Sequence, residues 1–160
     1  PDFPVEGILF KDITPVLQNG PLFAEVTKYF AERCRQRGIN KIVGIESRGF
    51  IFGAALAHEL GVGLTLVRKP GKLPYEKVGV SYELEYGSDR VEMHVDGIDG
   101  DDRAVLVDDL LATGGTAAAA AELVEKVGGR CVEALFLIEL EFLAGRSRLG
   151  DLEIHSLVKF

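Results

Sequence analysis

Basic charge is outnumbered in this sequence: 18 lysines and arginines stand against 25 aspartates and glutamates, a formal charge of −7. A general nucleic-acid binder carries a basic stripe or patch, so no nucleic-acid partner is expected. Any polyphosphate ligand must be drawn by local cations instead of the overall field. Cysteine is scarce, and Cys34 and Cys131 lack metal-ligand spacing. Two free thiols in a reducing cytosol are the expectation. No signal-peptide pattern and no long apolar run occur, so nothing points to export or to a membrane, and a cytoplasmic protein is expected. Linkers and low-complexity segments are missing too, and 160 residues suit a single domain, 1–160, with a substantial core. The acidic turn Asp96 to Asp102 does not have the ligand pattern of an EF-hand loop, which argues against Ca2+ there.

What the sequence does have is a recurring order of buried strand, polar turn and helix. Ala104 to Val107 is apolar with no polar alternation, as suits a strand covered on both faces. Ile42–Ile45, Val62–Val67, Cys131–Ile138 and Ile154–Val158 supply further strand candidates. Asn19-Gly20-Pro21 reads as the start of a helix that Gly38 ends, and its Lys28, Arg33, Arg35 and Arg37 read as a solvated face. Ile51–Leu60 and Ala117–Val127 read as two more helices, the second stopped by Gly128-Gly129. Alternation of this kind predicts an α/β fold with an open, mainly parallel central sheet flanked by helices. From Val80 the period changes to two through Tyr86, turns at Gly87-Ser88-Asp89 and resumes over Val91–Val95, an antiparallel hairpin.

Chemistry concentrates where the strand candidates end. After Val107 come Asp108 and Asp109, then Ala112-Thr113-Gly114-Gly115-Thr116 and a helix. A Gly- and Thr-rich turn opening a helix offers backbone N–H groups, hydroxyls and the positive end of the helix dipole to a phosphate. Carboxylates beside such a cradle would repel the phosphate, so they are better used on ribose hydroxyls or Mg2+. Arg68, Lys69, Lys72 and Lys77 form a cationic cluster with only Glu76 against them, and Pro70 to Gly79 reads as a long loop of the kind that serves as a lid. Glu83 and Glu85 share one side of the hairpin, and the period alone does not separate them. Phe10 reads from composition as a local core residue, and His155 as structural.

Five separate segments, Gly7–Pro15, Glu46–Phe50, Arg68–Pro74, Leu84–Gly87 and Val107–Thr116, together resemble the type I phosphoribosyltransferase family, and its adenine-specific branch in particular. The resemblance implies Mg2+-dependent transfer of a phosphoribosyl group from phosphoribosyl pyrophosphate (PRPP) to adenine, giving AMP and pyrophosphate. It implies Asp108 and Asp109 on the ribose, and Ala112, Thr113, Gly114, Gly115 and Thr116 on the 5′-phosphate. Ser47, Arg48, Arg68, Lys69 and Lys72 would meet pyrophosphate, with a cis peptide between Glu46 and Ser47 and Arg68 reaching into a neighbouring subunit of a symmetric homodimer. Phe10 would stack on the purine, with backbone groups of Leu9 and Lys11 reading its amine edge and Leu110 lining an apolar pocket. Glu85 would handle the proton and Tyr86 belong to the lid, which spans 68–95. A hood would form mainly from 1–15 and 139–160. No direct protein ligand to the metal is implied, Mg2+ being held mainly by PRPP and water. A lysine that 6-oxopurine enzymes commonly carry after the second acid is absent here. Relatives carry a short helical segment ahead of a Pro-Asp-Phe-Pro-like start, and this sequence opens within that start at Pro1. The competing reading is a PRPP-sensing regulator on the same fold, which would need neither Glu85 nor a basic lid.

Overall fold

The computed structural model describes residues 2, 6, 9–83 and 87–160. Its centre is a five-stranded parallel sheet in the order β2-β1-β5-β6-β7. The strands are β1 (Lys41–Ile45), β2 (Gly63–Val67), β5 (Arg103–Leu111), β6 (Arg130–Glu139) and β7 (Glu153–Lys159). A short α1 (Thr14–Gln18) and α2 (Gly20–Gln36) precede β1, α3 (Gly49–Leu60) links β1 to β2, and α4 (Gly115–Lys126) links β5 to β6. β3 (Lys77–Glu83) and β4 (Ser88–His94) pair antiparallel as a separate two-stranded sheet.

The unalternating strand sequences follow from burial on both faces. Ile42, Val105, Val107, Leu135 and Leu137 point to one side and pack with Val26 and Phe30 of α2 and Phe52 and Leu56 of α3. Val43, Ile45, Ala104, Leu106, Ala134 and Phe136 point to the other and meet Ala117, Ala120, Leu123 and Val124 of α4. The alanines let α4 lie close to the sheet, and the β3–β4 hairpin adds Val80, Val91 and Met93 to that core. The β3–β4 hairpin is therefore seated on α4, close to its start at Gly115.

Several boundaries differ from the sequence reading. β5 continues to Leu111, so Asp108 and Asp109 lie inside the strand and not beyond its end; the ladder to β6 runs on through Leu111↔Glu139. α1 is an addition: Asp12 accepts from the Thr14 backbone N–H at 2.9 Å and its hydroxyl at 2.6 Å, and Pro15 occupies the first turn. The loop after β2 ends earlier than position 79, because β3 begins at Lys77. Arg33 of α2 and Arg37, which caps its C-terminal end, are not a solvated face. Arg33 lies 2.5 Å and Arg37 3.2 Å from the fully buried Glu133 of β6, and both also reach Glu153 of β7. A carboxylate buried in that position needs cations beside it, and α2 supplies them.

Candidate active site

The site lies at the C-terminal edge of the sheet, where ligands of open α/β folds collect. α3 can approach the end of β5 because residue 49 is glycine: a Cβ there would stand 2.5 Å from the Val107 carbonyl oxygen and 3.0 Å from Asp108 Oδ1. That approach brings the preceding Arg48 to Asp109, whose Oδ2 accepts from Arg48 Nε at 2.5 Å. Asp109 is only 5% exposed. Asp108 accepts from the Asp109 backbone N–H at 2.8 Å. Burial, followed by the Asp109 charge, pushes the Asp108 carboxyl well above the usual range. The two acids thus form a strongly interacting pair with one guanidinium beside it.

Beyond them the chain makes the tight turn into α4. Asp108, Leu110, Leu111, Ala112, Thr113, Gly114, Gly115, Thr116 and Ala117 surround a cavity of about 90 Å3. The opening N–H groups of α4 have no intrahelical partners and are available to an anion. Gly114 has φ +82°, and a Cβ there would sit 2.2 Å from the carbonyl oxygen of Gly145. A Cβ on Gly145 would likewise come within 2.2 Å of the Ala112 carbonyl oxygen. Backbone presses directly on backbone, so the turn is braced by the 3-10 segment Gly145–Leu149 that precedes β7.

The basic segment is held from two sides. Glu46, at the end of β1, accepts from Lys72 Nζ at 2.6 Å, the Lys69 backbone N–H at 2.9 Å and Arg68 Nη2 at 3.3 Å. The Lys69 ammonium pairs with Asp89 and reaches the Tyr82 hydroxyl at 3.2 Å. The cluster's counter-ions are therefore Glu46 and Asp89, not Glu76 alone. Burial opposes ionisation of Glu46, but the bonds from Lys72, Lys69 and Arg68 outweigh it and hold its carboxyl at about 2. The folded value lies below the ordinary 4.5, so the stability this carboxylate contributes is complete above that pH and declines as pH falls towards 2. In denaturation experiments, the advantage of the parent over Glu46→Gln should shrink between pH 6 and pH 3. A difference independent of pH would remove Glu46 as the anchor.

Sequence expectations meet this geometry unevenly. Arg48, Asp108, Asp109 and Ala112–Thr116 come together around the turn. Ser47 is exposed at the start of the α3 turn, and the Glu46–Ser47 peptide is cis as expected. The Phe10 ring is 36% exposed, with the Arg48 guanidinium 6.0 Å from its centroid. Leu9 is exposed, Lys11 Nζ lies 3.8 Å from the Phe160 ring centroid, and half-buried Leu110 packs on the α2–α3 side of the core. Glu85 and Tyr86 fall outside the described residues. Their described neighbours are well anchored: Arg148 donates to the Glu83 carbonyl at 3.1 Å, and Tyr82 Oη lies 2.9 Å from Thr116 Oγ1. Tyr82 and Asp89 fell within the lid range and Gly145 and Arg148 within the hood range, but the sequence reading gave none of them a contact of its own. Only Tyr82 left a signal, as the residue alternating onto the same hairpin face as Val80.

Comparison with known proteins gives the family of the chain. A family model described as "Phosphoribosyl transferase domain" matches residues 12–155. An adenine phosphoribosyltransferase of Roseiflexus sp. is 54% identical over 160 residues, covering all of this chain and 93% of the relative. The crystal structure of adenine phosphoribosyltransferase from Thermoanaerobacter pseudethanolicus superposes with a TM-score of 0.96 at 52% identity, covering 100% of this chain and 93% of the other. The Saccharomyces cerevisiae enzyme, solved with an imino-altritol bisphosphate and adenine, gives a TM-score of 0.93 at 46% identity, over 98% and 91% of the two chains. This chain belongs to the type I phosphoribosyltransferase family, among the adenine phosphoribosyltransferases.

Proposed function

We propose that the chain transfers the 5-phosphoribosyl group of PRPP to N9 of adenine, giving AMP and pyrophosphate reversibly, as a step of purine salvage. The observation that carries this reading is the pair Asp108–Asp109 beside the small cavity at the start of α4, with Arg48 bonded to Asp109. That cavity suits a phosphate gripped by helix N–H groups, and the acids suit the hydroxyls on the rim of the attached sugar. Arg48, Arg68, Lys69 and Lys72 serve the leaving pyrophosphate. Each of the four is ion-paired with a carboxylate, so pyrophosphate exchanges one anionic partner for another.

The donor set near the cradle also fits Mg2+. Two carboxylates lie there, and among the described residues no cluster of three or more His, Cys, Asp and Glu side chains gathers. A hard cation that keeps several waters and takes oxygens from substrate phosphates suits such a site. When bound, Mg2+ neutralises charge on the departing pyrophosphate. The protein's own part is to fix the sugar through Asp108 and Asp109, hold the 5′-phosphate at Ala112–Thr116, and exclude water with the lid while positive charge grows at C1. Glu85 accepts the proton released as N9 attacks. Phe10 stacks on the adenine ring, and Leu9 and Lys11 read its amine edge through their backbones.

The active form is a symmetric homodimer in which Arg68 serves the neighbouring subunit, and the protein works in the cytoplasm. No helix among the described residues is long and apolar enough to cross a membrane.

The deciding experiment is production of AMP from PRPP and adenine with Mg2+, run beside guanine, hypoxanthine and uracil. Adenine should be preferred, and faster turnover of hypoxanthine or guanine would overturn the reading. Phe10→Ala should raise the KM for adenine by roughly tenfold, the scale of one lost base–aromatic stack. The KM for PRPP should stay within about twofold on the same argument. Equal changes in both would remove Phe10 from the base site.

A further inference from the structure

The geometry points to Tyr82 as a positioning residue that links the 5′-phosphate and pyrophosphate subsites through a single phenolic proton, so that filling one subsite weakens the other. This rests on the site reading above, which puts Thr116 at the first subsite and Lys69 at the second. Three groups converge on the Tyr82 hydroxyl oxygen: Thr116 Oγ1 at 2.9 Å, Lys69 Nζ at 3.2 Å and Asp89 Oδ2 at 3.2 Å. Lys69 also pairs directly with Asp89. The ring packs against the first turn of α4, where a Cβ on Gly115 would meet it at 3.0 Å, so the phenol is held in place apart from its hydroxyl.

A phenol donates one hydrogen bond, and a hydroxyl such as Thr116 donates one. A phosphate in the cradle presents acceptors only, so Thr116 must turn its proton to the ligand. Its oxygen is then best served by the Tyr82 proton. Asp89 loses that proton and depends on Lys69, which keeps the ammonium away from pyrophosphate. The reverse order runs the same way. When Lys69 leaves for pyrophosphate, Asp89 takes the Tyr82 proton, and Thr116 then donates to Tyr82 instead of the phosphate. Coupling of this kind is reciprocal by thermodynamic necessity. Its consequence for turnover is that a 5′-phosphate held in the cradle favours release of pyrophosphate.

Ribose 5-phosphate and pyrophosphate, with Mg2+ present, probe the two subsites separately by calorimetry. Repulsion between the two anions contributes to antagonism in any variant, so the readout is the difference between variants. In the parent, saturating ribose 5-phosphate should weaken pyrophosphate binding. In Tyr82→Phe, which keeps the ring and removes only the hydroxyl, that antagonism should be smaller by roughly three- to tenfold, the scale of one hydrogen bond. Asp89→Asn, which lowers the demand for the shared proton, should reduce it in the same direction. A purely structural role for Tyr82 would change both affinities without changing their ratio. Antagonism of the parent size in Tyr82→Phe would overturn the link while leaving the site reading intact. No binding of ribose 5-phosphate to the parent would overturn both.

Discussion

Glu85→Gln is expected to lower turnover by about 10²- to 10⁴-fold, the range of a lost general acid–base group. A carboxylate side chain can take the proton that N9 releases. The amide of glutamine can hydrogen-bond the same atom but cannot accept that proton. The described residues on either side of position 85 are held in place. Arg148 holds the Glu83 carbonyl, Tyr82 leans on the start of α4, and Glu83 pairs with Ser88 across the hairpin. The substitution should therefore act on chemistry and leave the PRPP cradle alone. PRPP affinity, measured by equilibrium titration with Mg2+, should stay close to that of the parent. Parallel losses in turnover and PRPP affinity would assign Glu85 to binding instead.

Asp109→Asn should weaken PRPP binding by about 10- to 100-fold, the equivalent of one charge-assisted hydrogen bond or somewhat more. Asp109 is buried and bonded to Arg48, so its loss removes an acceptor for the sugar and the partner that orients the arginine. A partial compensation limits the damage. The Asp108 carboxyl is pushed up by burial and by the charge at Asp109. Neutralising Asp109 lets Asp108 ionise more readily and take over part of the acceptor role. Asp108→Asn should for that reason be the milder of the two, since Asp109 keeps its pairing with Arg48. Adenine affinity should change by less than about twofold, because the proposed site sets both acids on the sugar and not on the base. A loss of adenine binding as large as that of PRPP would refute the ribose assignment.

The sheet was legible because two-faced burial leaves a plain mark: Ala104–Val107 and Val43–Ile45 are apolar at every position except Gly44 since helices cover both sides. Polar residues concealed the rest of β5. Asp108 and Asp109 read as a strand end, yet the ladder to β6 continues past them to Leu111. The tight turn before α4 was equally plain, since its backbone geometry calls for glycine, with Gly114 at positive φ. What sequence could not reveal were partners brought together by folding. Glu133 sits in an apolar run, and its need for Arg33 and Arg37 arises only when α2 crosses β6. Glu46 and Asp89 become anchors of the basic segment only once β1 and the hairpin converge on it. The local signal in each case favoured the simpler reading of a solvated face or a turn.

The contact between Gly114 and Gly145 carries a lesson for redesign. With no side chain between them, no spacer can absorb a shift of one strand of backbone against the other. If 139–160 covers the base as the proposed hood, reshaping the segment before β7 to admit a larger base would carry the turn's carbonyls along with it. Broader substrate scope and a firm hold on the sugar's phosphate would then have to be engineered in one move.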